Sequence, residues 1–366
     1  MAIKHKKSDD FYAGLCLLAA KRQFPLRVLF ELTYSCNFEC IHCYNAVEKN
    51  KKELDTSQVK EILRYLQKAG SFHVGFTGGE PLVREDIFEI LDYAKSLGFR
   101  ITILTNGYLV NKKTADMIAS LGTNLNKVDI SFLGADKGTF ESITQKKESF
   151  TKVKTAIQLL RKRDVDIMIK FTLMKQNKAQ LKEIRQMAQD NDCMFKFSPT
   201  INARANGDKS PLGHRLSPQE VMMYSGEGLK QRYKEAPDLK SQYGTKKLFR
   251  CGAGRSEVSI NPYGELKLCP EISQPAYSVL DFGLQAAWSK IKNYVKELEN
   301  KDYICKRCDL ASSCDSCPAR MFTEEGGLGI CNKYDHERAL LRARAMQIND
   351  YQSIRKISQA NSTSVQ

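Results

Sequence analysis

Cys36, Cys40 and Cys43 fall within eight residues of one another in ELTYSCNFECIHCYN. Three thiols at one point leave one over if any two pair, so a metal is the better tenant. A CxxxCxxC loop can give thiolate to three of the four irons of a [4Fe–4S] cube. The same spacing can hold zinc if a fourth ligand comes from elsewhere, and His42 inside the motif keeps that reading open. A second motif is FTGGEPL, from Phe76 to Leu82. Gly78 and Gly79 let backbone approach a ligand closely, and Glu80 offers a carboxylate to an ammonium group. The plainer reading is a strand-end turn with a surface glutamate.

A second cysteine set lies far downstream. Cys251 is followed by INPYGELKLC, in which Gly264 stands five before Cys269. Cys305-x2-Cys308-x5-Cys314-x2-Cys317 follows, and Cys331 closes the series. These are seven of the chain's 12 cysteines, and Cys16 and Cys193 fall outside both sets as plain buried thiols. Five histidines are too few and too scattered for a histidine-based centre.

Elements must position these loops. LRVLFELT, FHVGFT, RITILTNG, NKVDISFLG, VDIMIKFTLM and MFKFSP read as short buried strands. Between them lie helical stretches: SQVKEILRYLQKAG, with a Ser cap and a Gly stop, EDIFEILDYAKSLG, NKKTADMIASLG, FTKVKTAIQLLRKRD and KAQLKEIRQMAQDN. Strands alternating with helices predict a parallel α/β sheet with crossover helices. Six such units fall short of an eight-fold barrel, so an open, partial (β/α)6 barrel is expected. Ligands then sit at the C-terminal ends of the strands, where the cysteine loop, TGGEP and TNG all fall.

The expected organisation is an N-terminal extension over 1–23, a core over 24–201 and a linker or substrate-covering segment over 202–247. A cysteine-rich domain over 248–341 and a C-terminal helix with a polar tail over 342–366 complete it. No internal repeat is visible. FYAGLCLLAA, from Phe11 to Ala20, is too short to span a bilayer. It is read as an amphipathic helix packed on the core rather than a signal peptide, because an oxidising compartment would spoil ligand thiols. A cytoplasmic location is expected, with no membrane partner. The 366 residues carry a formal net charge of +15 spread along the chain. No basic–aromatic motif or recognition helix supports nucleic-acid binding. The charge also suits an acidic peptide, a polycarboxylate or an acidic electron carrier.

The chain resembles the radical S-adenosylmethionine (SAM) enzymes. The likeness rests on Cys36, Cys40 and Cys43 after the first strand, Gly78-Gly79-Glu80-Pro81 after the second, and Thr105-Asn106-Gly107 after the third. Ser131 in ISFLG extends it, over roughly residues 24 to 200. The resemblance implies that the three cysteines bind three irons of a [4Fe–4S] cluster and that SAM chelates the fourth. It also implies that Gly78, Gly79, Glu80 and Pro81 hold the SAM amino group, with Asn106, Ser131 and Lys170 nearby. One-electron cleavage of SAM would release a 5′-deoxyadenosyl radical, which takes hydrogen from an unactivated carbon.

The later cysteines look like the SPASM extension behind some radical SAM cores, which carries one or two auxiliary iron–sulfur clusters. The usual tight group has three residues between its last two cysteines, and this chain has two. Carried across, the family pairing gives Cys305, Cys308, Cys314 and Cys331 to one cluster and Cys251, Cys269 and Cys317 to the other, leaving one iron open or bound by a non-cysteine group. A zinc-ribbon-like module is the alternative. Enzymes of this kind mostly modify ribosomally made peptides, and a smaller branch modifies tetrapyrroles in haem or haem d1 synthesis. Oxidation of another small molecule is a further alternative. Sulfatase maturases carry an aspartate directly after the equivalent of Cys269, where this chain has Pro270. Glu271 is the candidate catalytic base that could replace it. About two dozen residues precede the first strand, too few for a leader-binding domain. A leader peptide would need a separate binding protein or the core itself. A flavodoxin- or ferredoxin-type electron donor is implied.

Overall fold

The computed structural model describes residues 3–46, 51–225, 248–311 and 313–348. The later part of the expected 202–247 segment and the polar tail from 349 lie outside the described residues. Six strand–helix units alternate as expected. Helix α1 (Ile3–Arg22) leads into β1 (Arg27–Glu31), α2 (Thr56–Lys68), β2 (His73–Thr77), α3 (Ile87–Ser96), β3 (Arg100–Thr105) and α4 (Lys112–Ala119). Then come β4 (Leu125–Ser131), α5 (Lys137–Thr144), α6 (Ser149–Arg161), β5 (Ile167–Thr172), α7 (Leu181–Asp190) and β6 (Met194–Ser198). A hairpin region of β7 (Glu257–Ile260), β8 (Glu265–Lys267) and β9 (Ala276–Ser278) precedes α8 (Leu284–Asn300), α9 (Pro318–Glu325) and α10 (Lys333–Ile348).

Strands β1 to β6 are all parallel, in chain order, and the sheet is open. It also runs on past β1. β7 pairs in parallel with β1, and β8 and β9 follow antiparallel, giving nine strands in the order β6-β5-β4-β3-β2-β1-β7-β8-β9. The cysteine-rich region therefore shares the core's sheet across residue 248. α10 begins at Lys333, ahead of the expected C-terminal segment.

One face of the sheet is apolar and lies under the helices. Val28, Phe30, Val74, Phe76, Ile101, Ile103, Val128, Ile130, Ile167 and Ile169 alternate along the strands and are buried. Helix α2 answers with Val59, Ile62, Leu63 and Leu66 on one stripe. Its cap is not the expected serine. Asp55 caps the helix in a reciprocal pair with Gln58, and the Ser57 hydroxyl donates to Asp55 Oδ1 at 2.7 Å. The α5 turn between β4 and α6 is also new. It is only eight residues long, so its periodicity is faint in the sequence.

The other face is polar. Lys127 and Lys170 both pair with Asp129, at 3.0 and 3.5 Å, and Arg27 pairs with Glu257 at 2.7 Å. His73 links Thr102, at 2.8 Å, to the Tyr12 hydroxyl of α1, at 3.1 Å. That contact and buried Ala19 seat α1 on the core, but the helix lacks the expected amphipathic division, with Leu17 73% and Leu18 40% exposed.

Arg215 ties the segment after β6 to α9. Its side chain is buried, pairs with buried Glu324 at 2.5 Å and donates to the Ile201 carbonyl at 2.9 Å. Removing one partner strands a buried charge, so Arg215→Ala or Glu324→Ala should cost about 3–5 kcal/mol. Urea melts check this, and the double change Arg215→Met/Glu324→Leu should recover most of the loss. Full loss persisting in the double variant would contradict the ion-pair account.

Candidate active site at the cysteine loops

The loop after β1 carries the first three cysteines, and the loop after β2 packs directly on it. The Gly79 amide donates to the Thr33 carbonyl at 2.7 Å, and the Glu80 amide donates to the Ser35 carbonyl at 3.0 Å. A Cβ on Gly78 would stand 2.1 Å from the Thr33 oxygen, and one on Gly79 would stand 2.4 Å from the Ser35 oxygen. The glycines thus permit a close approach, and the chain they approach is the cysteine loop. The other side of that loop rests on α5, through the Glu39 and Ile41 amides bonded to the Thr144 and Ile143 carbonyls at 3.1 Å each.

Glu80 differs from the exposed acceptor that the motif suggested. It is completely buried, and its carboxylate accepts from Thr105 Oγ1 at 2.7 Å, the Asn106 amide at 2.6 Å and the Leu82 amide at 3.1 Å. It brackets the TGGEP loop to the TNG loop. Pro81 is buried behind it and starts a single 3-10 turn. Asn106 in turn reaches the cysteine loop, with its side-chain amide donating to Asn37 Oδ1 at 2.8 Å and pointing toward Cys36 Sγ at 3.9 Å.

Burial raises the Glu80 carboxyl to about 7, outweighing the donors from Asn106, Thr105 and Leu82. The folded chain therefore holds this proton more tightly than the unfolded chain does. That contribution to stability is full below the ordinary carboxyl value and is lost as pH rises through about 7. The melting temperature of the metal-free protein should fall over this window, and Glu80→Gln should flatten the fall. Equal slopes for the two proteins would refute it.

Ser131 is exposed at the C-terminal end of β4 and lies opposite Lys170 in the β4–β5 register. Lys170 is engaged with Asp129. Residues that the motifs did not single out complete the loop assembly. Asn45 donates to the Gly78 carbonyl at 3.1 Å, Arg204 donates to the Asn45 carbonyl at 3.3 Å, and the Ala205 amide donates to the Tyr44 carbonyl at 3.0 Å. Their local sequence carries no spacing signal, because the contacts join residues 33 apart for Asn45 and Gly78 and 159 apart for Arg204 and Asn45.

The donor set fits an iron–sulfur cluster. Burial pushes the Cys36, Cys40 and Cys43 thiols upward, and the charges of Cys36 and Cys43 add to the effect on Cys40. Thiolates crowded this way need a metal's positive charge. His42 is lowered to about 4, first by burial and then by His214, and its Nδ1 has no hydrogen-bond partner. Among the described residues no three of His, Cys, Asp and Glu converge on a site for a single ion.

The later cysteines separate into groups. Cys305, Cys308, Cys314 and Cys331 line one cavity of about 630 Å³. Burial raises Cys331 to about 11, followed by the charges of Cys314 and Cys305. Cys269 and Cys317 face each other and Glu271 instead. Cys251 is exposed and faces Glu257 and Arg255. The short Cys314–Cys317 spacer is pinned to α10: Asp315 pairs with Arg338 and Arg342 at 2.6 and 2.5 Å, and Ser316 donates to Asp335 at 3.0 Å. Cys16 and Cys193 are free and half-buried rather than fully buried.

A parallel α/β sheet with a three-thiol loop at its strand ends defines a metal-cluster enzyme. Residues 30–188 match the model of the radical SAM superfamily, and this chain is a radical SAM enzyme. Its family implies a [4Fe–4S] cluster and SAM as cofactors. The chain is 29% identical over 340 residues to the mycofactocin maturase MftC of Mycobacterium tuberculosis, covering 87% of this chain and 86% of that one. It is 32% identical over 170 residues to the PqqA peptide cyclase of Bradyrhizobium diazoefficiens, covering 46% and 44%. The fold is that of Streptococcus suis SuiB, solved bound to its precursor peptide SuiA. The TM-score is 0.68 at 17% identity, over 88% of this chain and 80% of that one.

Proposed function

We propose that this enzyme uses SAM to modify a ribosomally made peptide oxidatively. The observation that carries the reading is the packing of the Gly78–Gly79 loop onto the cysteine loop, in a chain whose MftC relative matches along 87% of it. When bound, the cluster and SAM supply a 5′-deoxyadenosyl radical that abstracts hydrogen from the substrate. Cys36, Cys40 and Cys43 would hold the cluster, with SAM as its remaining ligand. The Gly78–Pro81 loop presents backbone groups to the SAM amino end, and buried Glu80 keeps that loop against Asn106. Asn106, Ser131 and Lys170 lie toward the SAM carboxylate and ribose.

Cys305, Cys308, Cys314 and Cys331 hold one auxiliary cluster, and Cys251, Cys269 and Cys317 belong to a second. The electron donor is of flavodoxin or ferredoxin type, and a separate protein presents the leader peptide. The enzyme works in the cytoplasm. Among the described residues no helix is long and apolar enough to cross a membrane.

The test is co-expression with short peptides encoded beside the gene, read by mass spectrometry. A mass loss in the peptide that depends on the enzyme and on Cys36 is expected. An unchanged peptide together with a consumed tetrapyrrole would move the substrate to the haem branch.

A further inference from the structure

Reductive cleavage of SAM takes one electron per event, and that electron enters the chain from outside. A short series of contacts leads from the cysteine loop to the surface. The Phe38 amide donates to the Cys36 sulfur at 3.4 Å. The Phe38 ring is buried and stands edge-on to Tyr108, with centroids 5.6 Å apart and planes at 80°. Tyr108 leaves the TNG loop, where its amide donates to Asn106 Oδ1 at 2.9 Å. Two lysines then meet the Tyr108 ring. Lys152 Nζ lies 4.3 Å from the centroid and donates to the hydroxyl at 3.0 Å, and Lys146 Nζ lies 5.6 Å from the same centroid.

The same lysines flank the other support of the cysteine loop. α5, whose Ile143 and Thr144 carbonyls hold the Ile41 and Glu39 amides, ends at Thr144, and Lys146 and Lys147 follow in the turn to α6. Residues 146–154 hold four lysines, Lys146, Lys147, Lys152 and Lys154, against the single acid Glu148, which lies 3.7 Å from Lys152. Lys147, Lys152 and Lys154 are exposed. Two ammonium groups held against one ring repel each other, and an anionic surface set over them relieves that repulsion.

We infer that Tyr108, Lys146 and Lys152 form the docking surface for an acidic one-electron carrier protein of flavodoxin or ferredoxin type. This rests on the reading of the Cys36 loop as the holder of the SAM-binding cluster. One electron leaves the carrier, which is oxidised by one, and enters the cluster, which is reduced by one. No proton or group moves. The lysines steer the carrier through their field, and the Phe38–Tyr108 contact joins the docking surface to the Cys36 sulfur. Attraction of this kind acts mainly on the association rate and weakens with salt.

The test measures 5′-deoxyadenosine formation by the full chain, anaerobically loaded with iron and sulfide, under dithionite, reduced flavodoxin or reduced ferredoxin. In Lys146→Glu/Lys152→Glu the carrier-driven rate should fall about tenfold or more at low salt, and the gap from wild type should narrow at high salt. Dithionite is a small reductant that needs no docking, so it should drive both proteins equally. Lys68→Glu/Lys162→Glu makes the same change of charge at the C-terminal ends of α2 and α6 and should behave as wild type. Equal carrier-driven rates in wild type and Lys146→Glu/Lys152→Glu would overturn the proposal. So would a loss that dithionite shares, an equal loss in the control pair, or a wild type that dithionite drives and neither carrier does. Failure of wild type under all three reductants would instead sink the radical SAM reading, so the two failures are distinct.

Discussion

Replacing Cys36, Cys40 or Cys43 with alanine should abolish reductive SAM cleavage, with 5′-deoxyadenosine falling to the level of the enzyme-free control. On the proposed assignment each of the three thiols is a direct ligand, so the loss should exceed the roughly 10–100-fold typical when a supporting partner of a metal site is removed. The thiols are coupled, since each of Cys36 and Cys43 acts on Cys40. A single substitution should therefore match the triple one. Changing the seven later cysteines should spare some SAM cleavage uncoupled from product, because those thiols lie in separate groups. Chromatography of deoxyadenosine after dithionite reduction, with iron counted per chain, decides this. Wild-type cleavage in Cys40→Ala would remove the N-terminal cluster from the mechanism.

The second large effect is expected at Gly79. An alanine there places its Cβ 2.4 Å from the Ser35 oxygen and 2.6 Å from the Tyr34 oxygen, both main-chain atoms with no rotamer to yield. The cysteine loop must move. Displacement of about 1 Å in a catalytic assembly can cost about 10²-fold in rate. Gly79→Ala should therefore lose iron and cut deoxyadenosine formation on that scale, with the sheet intact by circular dichroism. Gly78→Ala should be at least as damaging, since its φ of +144° also suits glycine and its Cβ would stand 2.1 Å from Thr33 O. Gly98 is the control. Its φ is also positive, but an added Cβ meets nothing within 4 Å, so Gly98→Ala should cost only backbone strain and leave iron loading unchanged. Full iron and full rate in Gly79→Ala would show that the two loops do not depend on this contact.

The six-unit α/β core was legible because its signals are local. Apolar residues recur at strand spacing in LRVLFELT and at helix spacing in SQVKEILRYLQKAG, and both patterns survive in the buried faces of β1 and α2. The cysteine spacing was legible for the same reason. Three ligands on one loop and two Cys-x2-Cys pairs are short-range facts. Less local features escaped. Asp55, two residues earlier, displaced the expected serine as the cap, and α5 was too short to show a period.

By itself the sequence determined the order of strands and helices, the three-thiol loop at the end of β1, and the presence of seven further thiols from Cys251 to Cys331. Those are properties of residue type and spacing, which the chain carries whether folded or not. Only the tertiary structure decided that the glycines serve the cysteine loop and that Glu80 is a buried bracket. It alone extended the sheet through β7, and it alone brought Glu271 toward Cys317. Contacts such as these join residues tens to hundreds of positions apart. Which polar group ends up buried, and against what, is settled by packing that no local pattern encodes.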